Sequence, residues 1–333
     1  DVYKRQMSFR TIEGRGETRH GVATLPHDRS ALLWSADRPT PLFLDSIDRW
    51  VDAMVADEHG GGDAPEGLVE ARISAKDSGI LCGRPVAERL LARHLSECSS
   101  EWGISEGGAV EKGQTVLVLH GPADGMLRLE RILLNLLGRL SGISSNTAHW
   151  AETAGSMRVA ATRKTEWGLL DKWAIHVGGG LTHRLDRGDA LMLKENDLAA
   201  MMGEGEAELG AMSRMVSSVD MEQHAGFTVV EVRSVEQAVA SATAWVTSQR
   251  GRGGNEKVVL LLDNMGPEGS SDVGRALSEN GLRNHCVLEG SGGVSLDSLD
   301  DWVASGVDLV SSSALNRGVA PLDLSMLIVA GGE

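Results

Sequence analysis

Cysteine is scarce in this 333-residue chain: Cys82, Cys98 and Cys286 lie far apart and are odd in number. That excludes a disulfide framework or a clustered zinc site and makes a reducing cytoplasm the expected setting. Long apolar runs are missing too. None approaches the roughly 18 residues that a membrane-crossing helix needs, so no membrane association is expected. The first 40 residues lack the hydrophobic centre of a secretory signal, with Arg10, Arg15 and Arg19 alternating with Glu13 and Glu17. Met7 reads as the natural start, and residues 1–6 fit no recognisable pattern. Positive charge is in deficit: a net charge of −15 argues against a nucleic-acid partner, whose phosphates would be repelled. Places where cations nevertheless cluster are therefore informative.

The apolar fraction of 41% and charged fraction of 24% are those of a globular protein. Ile47, Trp50, Val51, Met54 and Val55 recur at helical spacing, which predicts an amphipathic helix ending near Gly60-Gly61-Gly62. Ala71, Ile73 and Ala75 alternate with polar residues, and Asp77-Ser78-Gly79 predicts a turn into Ile80-Leu81-Cys82, a hairpin. A helix over 85–95 and a strand over 116–119 follow, so this region is mixed α+β. A further helix is expected over 126–140, where Leu129, Leu133, Leu136, Leu137 and Leu140 share a face.

Beyond it the pattern becomes a β–α alternation. Short apolar runs at 157–161, 190–193, 227–230, 258–262, 286–288 and 307–310 predict a parallel α/β sheet or barrel. They end in Thr162-Arg163-Lys164, Lys194, Glu231, Asp263, Glu289-Gly290-Ser291 and Ser311-Ser312-Ser313. Parallel α/β folds build their sites at the carboxyl ends of strands, which favours one shared site. Arg163, Lys164, His183, Arg184 and Lys194 would then make a cationic pocket suited to a polyanionic substrate. The alternative is ion pairing with Glu166, Asp171, Asp186 and Asp189. Gly178-Gly179-Gly180 and Ser291-Gly292-Gly293 offer close backbone approach, and neither is a P-loop or a dinucleotide fingerprint. Glu231 and Asp263 suit ribose hydroxyls or Mg²⁺, or else cap the helices that follow or pair with a pocket arginine.

Taken in order, a longer set of motifs resembles the quinolinate phosphoribosyltransferase family over residues 42–325. They are Glu130-Arg131-Ile132-Leu133-Leu134-Asn135, Leu140-Ser141-Gly142-Ile143, Thr162-Arg163-Lys164-Thr165 and Gly178-Gly179-Gly180-Leu181-Thr182-His183-Arg184. Lys194 with Asn196, Val230-Glu231-Val232, Leu262-Asp263-Asn264-Met265, Glu289-Gly290-Ser291-Gly292-Gly293 and Gly306-Val307-Asp308 continue the series. The resemblance implies an α+β open-sandwich domain (42–133), an incomplete six-stranded parallel α/β barrel (134–318) and a tail (319–333) returning to the first domain. Residues 1–41 are an N-terminal extension outside it. It also implies a homodimer or higher homo-oligomer with shared active sites, in which Arg131 serves the neighbouring subunit. The implied reaction joins quinolinate to phosphoribosyl pyrophosphate, releasing CO₂ and making nicotinate mononucleotide.

By the same resemblance, Arg131, Arg163, Lys164, His183, Arg184 and Lys194 bind carboxylates and phosphates. Lys164, Glu231 and Asp263 are catalytic, and Glu231 and Asp263 hold ribose and Mg²⁺, the metal partly through substrate and water. Ser291, Gly292 and Gly293 take the 5′-phosphate, with Ser312 and Ser313 beside them. Three segments depart from the family pattern. Glu166-Trp167-Gly168-Leu169-Leu170 stands where Pro, Gly, Leu and Arg are usual. Glu195-Asn196-Asp197 replaces Asp-Asn-His, and Ser311-Ser312-Ser313-Ala314-Leu315-Asn316-Arg317 replaces a glycine-containing loop. Two rivals remain open: a related transferase for another acid or a molybdenum-pathway substrate, and a non-catalytic binder that kept the pocket.

Overall fold

The computed structural model describes residues 25–58, 66–219 and 226–329. Strands β1 (Trp34–Ser35) and β2 (Arg38–Pro39) form a hairpin whose two turn residues, Ala36 and Asp37, both take positive φ. Helix α1 (Pro41–Asp57) starts where the Thr40 hydroxyl accepts the Phe43 N–H at 3.3 Å and buries Phe43, Ile47 and Val51. Then come β3 (Leu68–Ala75), β4 (Gly79–Ile80), α2 (Arg84–His94), β5 (Ser99–Trp102), β6 (Ala109–Val110) and β7 (Thr115–Pro122). β7 pairs antiparallel with both β3 and β5.

The expected hairpin across 71–82 does not form. Both edges of β3 are taken by longer ladders, one with β7 and one with a strand from the end of the chain. Ile80 is left to pair with Ala109 in a two-stranded ribbon. Helix α3 (Ala123–Ala154) runs 32 residues, about 48 Å at 1.5 Å per residue. It outlasts the leucine periodicity because its second half buries small and polar residues. Ser141 bonds the backbone of Cys82 at both N–H and C=O, and a Cβ on Gly142 would sit 2.3 Å from the Ala320 carbonyl. Residues 320–322 therefore cross α3 at glycine.

The barrel strands are β8 (Arg158–Ala160), β9 (Leu191–Leu193), β10 (Thr228–Val232), β11 (Val258–Asp263), β12 (Cys286–Ser291) and β13 (Leu309–Ser311). They are all parallel, in the order β8-β13-β12-β11-β10-β9. Helices α4 (Leu169–Val177), α5 (Glu195–Met201), α6 (Glu208–Ser217), α7 (Val235–Arg252), α8 (Gly266–Glu279) and α9 (Leu299–Ala304) lie between them in the chain. The strands are continuous apolar runs because both faces are covered. Val229, Val259, Leu261, Val287 and Leu309 fill the interior. Two-residue alternation then turns Glu231, Asp263, Glu289, Ser291 and Ser311 to the same side. Between β8 and β9 the barrel is open, and Leu181 makes a single parallel bridge to Ala160 there. The last strand, β14 (Leu324–Val329), pairs antiparallel with β3. No helix among the described residues is long and apolar enough to cross a membrane, and the three cysteines are free.

Candidate active site

Strand ends β9 to β12 bring four of the expected groups to one mouth. Lys194, at the end of β9, pairs with Glu231 of β10. Asp263, at the end of β11, faces Arg233 at 3.6 Å, and Arg233 also pairs with Glu195. Ser291 lies in register with Asp263 and leads into Gly292 and Gly293. A Cβ on Gly292, at φ 94°, would lie 2.2 Å from the Asn264 side chain, so only glycine lets the two loops meet. The Ser312 hydroxyl donates to the Val294 carbonyl at 2.9 Å and accepts the Ala314 N–H, which ties its loop to the glycine loop.

Arg163 and Lys164 follow β8 and are exposed, with no acidic side chain in ion-pair range among the described residues. The unusual segment after them is held by Asp171, which is fully buried. It accepts from the Arg139 guanidinium, the N–H groups of Glu166 (2.8 Å) and Trp167 (3.3 Å), and the Asn316 amide (3.1 Å). Asn316 donates also to the Lys164 carbonyl. Arg139 completes the network with Glu166 at 2.8 Å and the Trp167 ring face at 4.9 Å. Beside it a cavity of about 660 Å³ is lined by Arg49, Trp50, Arg163, Lys172 and Leu185. Lys172 donates to the carbonyls of Thr162 and Thr182. Burial brings its pKa down to about 7, against the pull of Asp189.

Arg184 lies in the opening between β8 and β9 and is only 7% exposed. Its guanidinium reaches the Ala190 carbonyl at 3.2 Å and the Met192 sulfur, while its Nε has no partner among the described residues. No carboxylate pairs with it among the described residues. Burial lowers its pKa, and the nearby Arg163 and Arg187 lower it further. A buried guanidinium without an anion is costly, and an anion arriving there would offset that cost.

The His183 ring is turned into the barrel, away from the exposed cations. Its Nε2 lies 3.1 Å from Glu289, and its Nδ1 accepts the Arg184 N–H at 2.7 Å. Glu289 is fully buried and also accepts from His27 Nε2 at 3.0 Å and Ser311 Oγ at 2.5 Å. Burial works to raise its pKa, but His183 and His27 outweigh that and hold the carboxyl well below the usual range. Burial lowers the pKa of His183, so its ring stays neutral. The three ligand-type atoms of His27, His183 and Glu289 lie within 4.8 Å of one another. They are nevertheless a poor metal site. An Nδ1 that accepts a backbone N–H leaves the proton on Nε2, where a metal would need the lone pair. Arg131 stands apart on α3, 67% exposed at its side chain, with Glu130 its nearest acid at 4.0 Å.

Three residues here, Arg233, Lys172 and His27, gave no sequence signal. Glu289 stood in the strand-end motif Glu289-Gly290-Ser291, and its inward direction follows from the alternation in β12. Arg233 lies two residues past Glu231. Lys172 is hidden in a helical pattern, and His27 lies in the extension outside the resemblance.

Family models for the quinolinate phosphoribosyl transferase C-terminal and N-terminal domains match residues 143–327 and 62–141. The chain is 34% identical over 269 residues to a probable nicotinate-nucleotide pyrophosphorylase (carboxylating) of Methanothermobacter thermautotrophicus, covering 78% of this chain and 88% of that protein. It is 32% identical over 281 residues to the nicotinate-nucleotide pyrophosphorylase (carboxylating) of Rattus norvegicus, covering 82% and 85%. Among solved structures, NadC from Streptococcus pyogenes superposes with a TM-score of 0.72 at 28% identity, covering 89% of this chain and 99% of that one.

Proposed function

Because the chain belongs to the quinolinate phosphoribosyltransferase family, we propose that it joins quinolinate to phosphoribosyl pyrophosphate, giving nicotinate mononucleotide, diphosphate and CO₂. The observation that carries this reading is Arg184, a buried guanidinium that pairs with no carboxylate among the described residues, beside Arg163, which pairs with none there either. Two adjacent carboxylates on a flat ring are the complement of two such cations.

Arg163 and Arg184 hold the acid so that its ring nitrogen faces ribose C1. As the C1–O bond to diphosphate breaks, that nitrogen's lone pair forms the new N–C1 bond. Lys164 and Lys194 stabilise the charge that develops on the departing diphosphate. The ring nitrogen is then cationic. The electron pair of the C2–carboxyl bond stays at C2 beside that charge as CO₂ leaves, and a proton takes its place. The glycine loop at 292–293 offers backbone N–H groups to the 5′-phosphate.

Glu231 and Asp263 fit a hard cation, since both are oxygen donors on adjacent strand ends and both are partly accessible. Bound there, Mg²⁺ would supply neutralising charge for the diphosphate. Lys194 and Arg233, which pair with these carboxylates here, then become free to meet phosphate. The exposed Arg131 acts in the site of a second copy of the chain, in a homodimer with composite sites. Three free thiols accord with a reducing cytoplasm.

The discriminating experiment is calorimetric titration of the protein with quinolinate and with nicotinate. Losing one carboxylate strands a buried cation, a cost of about 2–5 kcal/mol or roughly 30-fold to several thousand-fold in affinity. Equal affinity for the two acids would contradict the two-cation clamp.

A further inference from the structure

Residues 25–30 lie outside the family match, yet they are packed into the barrel. Leu25 joins the interior apolar cluster, and the His27 ring sits 5.0 Å from Phe227, just ahead of β10. Arg29 forks Asp189, just ahead of β9, at 2.7–3.2 Å. The segment therefore lies as a strap across the end of the barrel opposite the mouth.

The long-range hydrogen bonds of His27 and Arg29 in the strap go to one loop, 182–189, or to its support. The Thr182 hydroxyl donates to the His27 carbonyl at 3.2 Å and accepts the Arg29 N–H at 2.8 Å. Asp189, fixed by Arg29, accepts the Leu185 N–H at 2.9 Å. His27 Nε2 bonds the same carboxylate that holds His183, and the two imidazoles meet edge to face at 4.9 Å. Both ends of the loop and its one inward ring are thus fastened from below. Between the fastenings sits Arg184. The loop needs fastening: it fills the gap between β8 and β9, where no strand runs, and His183 holds a positive φ of 53°. Such a backbone persists only where its surroundings over-determine it. An apolar side chain would plug the barrel end equally well. A wholly buried histidine whose Nδ1 has no partner among the described residues is instead suited to its one hydrogen bond at Nε2.

We propose that the strap is a positioning element for the acid-binding loop, and that His27, acting through Glu289 and His183, sets the place of Arg184 for the quinolinate carboxylate. This rests on the reading of Arg184 as a carboxylate anchor. His27 touches no substrate, so its removal acts on acid binding and leaves phosphoribosyl pyrophosphate binding nearly unchanged.

The test uses full-length His27→Leu, His27→Gln and Arg184→Lys, with each substrate varied separately at saturation of the other. Misplacing a binding group by a fraction of an ångström predicts about a 10-fold rise in the quinolinate KM for His27→Leu, with the phosphoribosyl pyrophosphate KM within about 2-fold. Gln carries an N–H donor in place of Nε2 and should restore the quinolinate KM to within about 3-fold. Should Leu at position 27 prevent folding, Arg29→Ala, at a partly exposed pair, carries the same expectation. Arg184→Lys separates the two ideas: an unchanged quinolinate KM there contradicts the anchor itself. If Arg184→Lys is impaired while His27→Leu is silent, or moves both KM values alike without rescue by Gln, the strap has no positioning role.

Discussion

Replacing Asp171 by Asn changes one atom, yet it should destabilise the protein by about 2–3 kcal/mol. Oδ2 accepts from four groups: the N–H of Glu166 and of Trp167, the Asn316 amide and the Arg139 guanidinium. The Asn amide nitrogen must therefore take the Oδ1 position, where it faces Arg139 Nε and Nη2, donors at 3.3 and 3.1 Å. A charge-assisted contact is lost there, worth about 1.5–3 kcal/mol. Arg139 keeps Glu166 and the Trp167 face, which prevents a larger loss. At roughly 2–4 °C per kcal/mol, the midpoint should fall by about 4–12 °C. Asp171→Leu also orphans two backbone N–H groups and the Asn316 amide, and should cost more than about 4 kcal/mol. Urea unfolding followed by tryptophan fluorescence reads both. A cost under about 1 kcal/mol for Asn, or a Leu variant no worse than Asn, would refute the claim that this carboxylate organises the 166–168 segment.

Acid stability should track Glu289 and His183. Both have folded pKa values below their unfolded ones, so the unfolded chain binds more protons and stability falls with pH, first below about 6.5 for His183 and then below about 4.5 for Glu289. Glu289→Gln should flatten the lower part of that profile, and an unaltered profile would count against the assignment. Chelation should abolish activity and Mg²⁺ restore it, while Asp263→Asn loses turnover and keeps quinolinate binding. Loss of quinolinate binding in Asp263→Asn would place that carboxylate in the clamp instead. Mixing inactive Arg131→Ala and Lys164→Ala proteins under subunit exchange should recover about a quarter of wild-type activity if sites are shared. No recovery, with mixed dimers present, would confine Arg131 to its own chain.

Barrel strands were legible because a strand covered on both faces must be a short apolar run, and Val258–Asp263 is one. Strand-end residues such as Lys194, Glu231 and Asp263 followed from topology, since parallel strands deliver their ends to one mouth. The hairpin across 71–82 misled because alternation reports a half-buried strand without naming its partner. The end of α3 was obscured because Ser141, Gly142, Ser144 and Thr147 are buried for close packing and carry no apolar period. His27 was illegible for a deeper reason. A lone histidine in an extension acquires meaning only when the fold brings it to Glu289, 262 residues away.

Formation of nicotinate mononucleotide is the most direct test of the account. The protein is incubated with quinolinate labelled at its 2-carboxyl group, phosphoribosyl pyrophosphate and Mg²⁺, and product and released label are counted together. The arrangement of Arg163, Arg184, Lys194, Glu231 and Asp263 predicts one labelled CO₂ for each nicotinate mononucleotide, and negligible product from nicotinate. Product formed equally well from nicotinate, or no turnover of quinolinate by folded protein with Mg²⁺ present, would contradict it.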